Sequence, residues 1–332
     1  MFKTLVVAGG SALLSALLIG PVTIKYLKKL KVGATIQEEL NETHQAKAGT
    51  PLMGGLIFVI PLSIITLILA VSGLIEWRLA LGFLVFTLGY GTIGFIDDYL
   101  KVVKRHADGL NIKDKLIGQS MIFILYLLLF SGQPLNTNLM IPFTNWQIAL
   151  GYAYIPFIFV LALGTTNAVN FTDGMDGLLA GCMIASSIAY GAISLFAGSD
   201  SLAIVSAVII GGLLGYLRFN YHPAQVFMGD TGSLALGGAL TALAIFTKTE
   251  LLLVIIGGIY VVETISVIIQ IVYFRLNGGK RFFLMAPIHH HYQEKNIAEL
   301  RIVWTFWGIS AICGLIGVLG YLTTGFNRVL GG

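Results

Sequence analysis

The sequence predicts an all-α, polytopic membrane protein with about ten transmembrane helices. Three observations predict it. Of the 332 residues, 56% are hydrophobic and only 11% charged. A soluble domain carries about 25% charged residues and under about 50% apolar ones, and a soluble fold of this length has too little interior to hide the excess. The apolar residues also come in runs near the length a helix needs to cross a bilayer core, about 20 residues for about 30 Å. Finally, charges punctuate these runs rather than filling them.

Taken in order, the runs are 4–25, 51–73, 79–96, 116–132, 147–166, 177–197, 202–219, 232–247, 251–274 and 302–324. The first follows only Lys3 and lacks a small-residue cleavage site, so it reads as a retained helix. The sixth and seventh are separated by four residues only, 198–201. Many of the 40 glycines lie inside runs, where they let helices approach closely. Cys182 and Cys313 both lie in apolar runs and read as buried thiols. No internal repeat is visible, and residues 1–332 read as one membrane domain.

Lys and Arg crowd the first, third and ninth loops, with Arg218 alone at the seventh, and leave only Lys3, Arg78, Lys248 and Arg328 for the other side. The positive-inside rule then places the odd-numbered loops in the cytoplasm. Ten spans put both termini outside. Twelve of the 16 carboxylates fall on the same cytoplasmic side. Topology does not explain this, because acidic residues contribute little to orientation.

Asp97 and Asp98 close the third run in Phe95-Ile-Asp-Asp-Tyr99. Two helix-end charges at an interface are one reading, and an intramembrane functional pair is the other. Neighbours on a helix point about 100° apart, so one of the two faces a given site while the other holds a lysine or a backbone group. Asn170-Phe-Thr-Asp-Gly-Met-Asp-Gly177 holds Asp173 and Asp176 three apart, on one face if helical. A capped, glycine-rich turn is the plain alternative.

Asn220 opens a segment ending in Phe227-Met-Gly-Asp-Thr-Gly-Ser233. Asp230 there is either a helix N-cap or a hard oxygen ligand for Mg²⁺. Phe227 offers a face to a base or makes an ordinary packing contact. His289, His290 and His291 run consecutively after Pro287. Their spacing departs from zinc sites, and histidines donating to phosphate fit better, with a solvated loop as the alternative. Lys47 to Gly55 has a lysine and a Pro–Gly entry turn, without the Gly-Lys-Ser/Thr ending of a Walker A loop. Glu263 lies well inside a run, with Gln270 two turns on. Its plain reading is a carboxylate paired within the bundle or kept protonated, and the other is a deeper site. Together, aspartates, lysines, histidines and an aromatic face suit a diphosphate, whose transfer needs positioning and charge neutralisation more than covalent chemistry.

On these segments the chain resembles the phospho-N-acetylmuramoyl-pentapeptide-transferase family, a branch of the polyprenyl-phosphate hexosamine-1-phosphate transferases. The likeness runs over nearly the whole chain, and the Pro287-Ile-His-His-His291 run is the more specific to this branch. The resemblance implies transfer of phospho-MurNAc-pentapeptide from UDP-MurNAc-pentapeptide to undecaprenyl phosphate, giving lipid I and UMP, with Mg²⁺. It implies an enzyme of peptidoglycan synthesis in the bacterial cytoplasmic membrane, its site facing the cytoplasm. No nucleic-acid partner is expected, and a homodimer is compatible with it. Asp97 would be the base on the lipid phosphate or a covalent nucleophile, with Asp98 beside it, and Asp230 the Mg²⁺ ligand. Lys47, Asn170, Asp173 and Asp176 would surround the nucleotide and diphosphate. Phe227 would stack on uracil, with Asn220, Gln270 and His290 nearby. His289, of the catalytic set, and His291 complete the run, and Lys101 and Lys113 would meet the diphosphate. The chain departs from the family at Leu52, commonly Thr, and at Gln293-Glu-Lys-Asn296. Two rival readings are a sister transferase using UDP-GlcNAc and, in another class, a transporter of phosphorylated cargo, whose site would lie nearer the midplane on broken helices.

Overall fold

The computed structural model describes residues 1–30, 49–102, 104, 109–132 and 135–323. The protein is an all-α polytopic membrane protein. Its long helices are α1 (Phe2–Lys29), α2 (Leu56–Val71), α3 (Trp77–Val102), α4 (Ile112–Phe130), α5 (Tyr154–Phe171), α6 (Leu178–Phe196), α7 (Asp200–Asn220), α8 (Gly229–Phe246), α10 (Gly258–Leu276) and α12 (Glu299–Thr323), with the short α9 (Glu250–Ile256) and α11 (Ile288–Glu294) between them. Among the described residues, eight of these ten long helices are apolar and long enough to cross a membrane. The other two are α2, which has 16 residues, and α4, whose first turn carries Lys113, Asp114 and Lys115.

The structure differs from the apolar runs in two places. The fifth run expects a span from residue 147, but Asn138–Met140 and Gln147–Ala149 pair as a small antiparallel hairpin and α5 begins at Tyr154. Apolar residues mark a hairpin lying against a membrane protein as well as a span, so hydropathy alone does not separate them. The ninth run is broken at Gly257 and Gly258 into α9 and α10. A glycine pair lacks the side chains that stiffen a helix and is a usual site of a sharp bend.

Helix α8 is the centre of the bundle. Every residue from Thr231 to Ile245 is buried, as expected of a helix apolar all round. It packs most closely on α3, and the contact needs Gly94: a Cβ there would lie 2.0 Å from the Asp230 carbonyl oxygen. By contrast α1, α10 and α12 turn large apolar side chains outward, among them Leu18, Ile268 and Leu315. Apolar patches of that extent are foreign to soluble surfaces and ordinary against lipid. The close approach of α3 to α8 brings the end of one against the start of the other, and the polar site forms there.

Candidate functional site

Asp97 and Asp98 lie in the last turns of α3, both fully buried, and Asp230 lies in the first turn of α8. One carboxylate oxygen from each fits within 4.8 Å of the other two. The neighbours on α3 diverge as helix geometry requires. Asp98 turns to α8 and caps it: Oδ1 accepts from the Asp230 amide at 3.2 Å, and Oδ2 accepts from the Thr231 amide at 2.9 Å and its hydroxyl at 2.6 Å. A carboxylate on the free amides of a helix start satisfies groups that have no intrahelical partner.

Asp97 turns to the lysines. Its Oδ2 meets Lys101 Nζ at 2.5 Å, and its Oδ1 meets Lys115 Nζ at 3.2 Å and accepts from the Leu110 amide at 2.7 Å. Lys115 also reaches Asp230 Oδ2 at 2.6 Å, and Lys101 stands 3.7 Å from the same oxygen. Asn170, at the end of α5, donates to Asp230 Oδ1 at 3.0 Å and to Ser233 Oγ at 2.8 Å. Counted as ionised, three carboxylates face two ammonium groups, so one negative charge is left over in a mostly buried place. Such an imbalance is costly unless a proton or a further cation answers it.

Asp173 lies in the turn between α5 and α6 and takes a hydrogen bond from the Gly229 backbone. Burial, then the negative charges of Asp230 and Asp98, push its carboxyl up to about 8. Near neutral pH it is therefore largely a neutral acid that can donate a hydrogen bond. The next residue, Gly174, receives His289: a Cβ there would lie 2.1 Å from His289 Nε2. His289 is fully buried, its Nδ1 3.0 Å from Glu263 Oε1. Glu263 is thus paired within the bundle. The aspartates, Asn170, Asp173 and His289, far apart in sequence, form one connected region.

The remaining residues divide. Phe227 is half-buried, and its backbone is held by Pro51 and Gly54 at 2.8 and 2.7 Å, which docks the entry segment of α2 beside it. Asn220 is buried, accepting from the Gly177 amide and donating to the Val226 carbonyl, both at 3.0 Å. Asp176 is also turned inward, where Oδ2 accepts from the Ala224 amide at 3.0 Å and meets His222 Nδ1 at 3.0 Å. Gln270 Oε1 accepts from the amides of Phe282 and Phe283, and His291 Nδ1 accepts from Leu284. His290 Nδ1 stands 3.0 Å from Gln293 Oε1. Lys113 is exposed and is not among the lysines on the carboxylates. Lys47 lies outside the described residues.

Sequence reading overlooked Lys115, His222 and Glu299. Two residues rotate a helix by about 200°, so Lys113 and Lys115 point to opposite sides. The Asn111 side chain, accepting from the Asp114 amide at 2.9 Å, caps α4 and fixes which lysine faces α3. Glu299 accepts from the Asp176 amide at 3.0 Å, and nothing in its neighbourhood of sequence announces that.

Fold and site together define an integral membrane protein with a carboxylate and lysine centre at one end of its helices. Residues 80–248 match glycosyl transferase family 4. The chain belongs to that family. It is 46% identical over 318 residues, 95% of this chain and 97% of theirs, to proteins named phospho-N-acetylmuramoyl-pentapeptide-transferase from Bacillus mycoides (strain KBAB4), Bacillus thuringiensis (strain Al Hakam) and Bacillus cereus (strain AH187).

Proposed function

We propose that this protein transfers phospho-MurNAc-pentapeptide from UDP-MurNAc-pentapeptide to undecaprenyl phosphate, yielding lipid I and UMP, at the cytoplasmic face of a bacterial membrane. The observation that carries the proposal is the meeting of Asp97, Asp230, Lys101 and Lys115 at adjoining helix ends, in a chain whose relatives bear that enzyme's name.

The donor set suits Mg²⁺, a hard cation that takes carboxylate oxygens together with substrate phosphates and water. Asp230 would hold it with Asp97 alongside, since the Asp98 oxygens are committed to the start of α8. Such an ion supplies Lewis-acid polarisation of the diphosphate. The chain does the rest. Lys101 and Lys115 neutralise the diphosphate, and Asn170 fixes the Asp230 carboxylate. Phe227 offers its ring to uracil. Asp97 accepts any proton left on the lipid phosphate. An oxygen of that phosphate forms a bond to the sugar-bearing phosphorus, and the bond from that phosphorus to the UMP oxygen breaks, with UMP leaving on the electron pair. A phosphate monoester has its second pKa near about 6, so positioning outweighs deprotonation near neutral pH.

A route for the lipid supports the reading. Between α5 and the broken α9–α10 lies an apolar groove of about 220 Å³, lined by Leu161, Gly164, Thr165 and Ala168 on one side and Val254 and Tyr260 on the other. The same helix α5 ends at Asn170 on Asp230, so an apolar chain in the groove would lead its head group to the carboxylates.

The test is UMP release by protein purified in detergent. We expect release only when the UDP-sugar, polyprenyl phosphate and Mg²⁺ are all supplied, and its loss on chelation with recovery on adding Mg²⁺ back. Preference for UDP-GlcNAc would overturn the muramoyl assignment, and vectorial uptake without UMP release would replace the enzyme with a transporter.

A further inference from the structure

The geometry points to Glu299 and His222 as positioning residues for the nucleotide end of the site, a role that rests on the nucleotide-sugar reading above. Both act on the turn that carries Asp173. Glu299, the first residue of α12, accepts from the Asp176 amide through Oε1 at 3.0 Å, and its Oε2 stands 3.9 Å from His222 Nδ1. His222 Nδ1 in turn lies 3.0 Å from Asp176 Oδ2, which also accepts from the Ala224 amide. Three chain segments therefore meet at one small network: the turn after α5, the loop after α7 and the start of α12. The Asp176 side chain is only 2% exposed, so it serves this junction rather than open solvent.

The loop so held is the one that delivers Phe227 and Asp230. Asn220 ties it to the same turn from the other side, through the Gly177 amide and the Val226 carbonyl. The turn is also gripped twice by one stretch of chain. His289 packs against Gly174, and ten residues later Glu299 holds Asp176. A further turn pair along α12, Trp307 Nε1 donates to the carbonyls of Gly177 and Leu178, both at 3.2 Å. Release of Glu299 or His222 would leave the carboxylate and lysine centre standing and loosen the seat of the aromatic ring and of Asp173. The consequence is weaker capture of the nucleotide half of the substrate with the chemistry at Asp230 preserved.

Substitution tests this. Glu299→Ala and His222→Ala should each raise KM for the UDP-sugar and Kd for UDP roughly tenfold, the scale of one lost charge-assisted hydrogen bond. Turnover number and KM for polyprenyl phosphate should stay within about twofold of wild type. Glu299→Gln and His222→Asn keep an acceptor and a donor in place and should restore most of the affinity. The double alanine variant should be less than additive, because both side chains act through Asp176. A fall in turnover number at unchanged KM would overturn the inference, as would strictly additive losses or a failure of Glu299→Gln to recover affinity. Titration with UDP separates the two readings. Wild-type protein that binds UDP without releasing UMP from the UDP-sugar sinks the proposed reaction and leaves the positioning role testable by Kd. Wild-type protein that binds no UDP sinks both.

Discussion

Two buried ionic clusters sit at opposite ends of α8. At its start, Asp97 and Asp230 meet Lys101 and Lys115, with Asp98 beside them on the first amides of the helix. Just past its end, Lys248 Nζ donates to Glu250 Oε1 at 3.0 Å, to the Tyr154 hydroxyl at 2.7 Å and to the Asn136 carbonyl at 2.9 Å, while Tyr154 also donates to Glu250. Lys248 stands 3.9 Å above the Tyr154 ring as well. The second cluster is closed and matched one to one, its side chains 11% and 0% exposed. The first is over-supplied with carboxylate and partly open, with Lys101, Lys115 and Asp230 at 30%, 23% and 17%. Even with Glu250 beside it, burial draws Lys248 below the usual lysine value. A balanced, sealed pair pins helices together. An unbalanced, reachable one keeps charge in hand for a ligand. Counted as ionised, the site end has the excess negative charge that a cation answers, and it has the opening that a diphosphate needs.

The contrast can be broken by substitution at either end. Asp230→Asn should cost most, lowering UMP release about 10²–10³-fold, the effect of removing one group that stabilises transition-state charge. Its thermal unfolding midpoint should move by only a few degrees; a collapse in stability instead would make Asp230 a structural residue like Glu250. Lys115→Gln should lower turnover by about 10²-fold, whereas Lys113→Gln should leave it near wild type. Equal effects would show that the helix phase read from the Asn111 cap is not the one that works. Phe227→Ala should weaken UDP binding about tenfold, within the range of about 1–3 kcal/mol for stacking on one base. Unchanged affinity in a titration would remove the ring from the nucleotide site. Little effect on turnover is likewise expected from Glu250→Gln. Activity per folded molecule should hold within about twofold, while stability falls by about 1–3 kcal/mol as Lys248 loses its counter-charge. A large loss of turnover at unchanged stability would erase the distinction between the two ends.

Much of the site was legible. Asp97, Asn170, Asp173, Asp230 and His289 stand out in the sequence because charged and polar groups beside apolar runs need a reason, Lys101 came with the family resemblance, and the structure brings them into one region. Other residues were visible without their geometry. Asp176, Asn220 and Gln270 are conspicuous polar residues near a membrane, yet their side chains hold backbone amides of neighbouring loops. A buried amide demands a partner as firmly as a ligand does, and the letter at a position does not say which demand it meets. Lys115 and Glu299 escaped because helix phase and packing decide what each meets, and Asp230 and the Asp176 amide lie more than a hundred residues from them in sequence.

By itself the sequence determined that this chain is a bundle of membrane helices and which short segments carry its polar chemistry. Run length, charge placement and residue type are local properties, and lipid reads them one segment at a time. Tertiary structure alone decided that Asp98 caps α8 while Asp97 meets the lysines, that Lys115 rather than Lys113 turns inward, and that the ninth run breaks. Those outcomes depend on helix phase and on what each helix packs against, and a chain acquires both only when its distant parts have met.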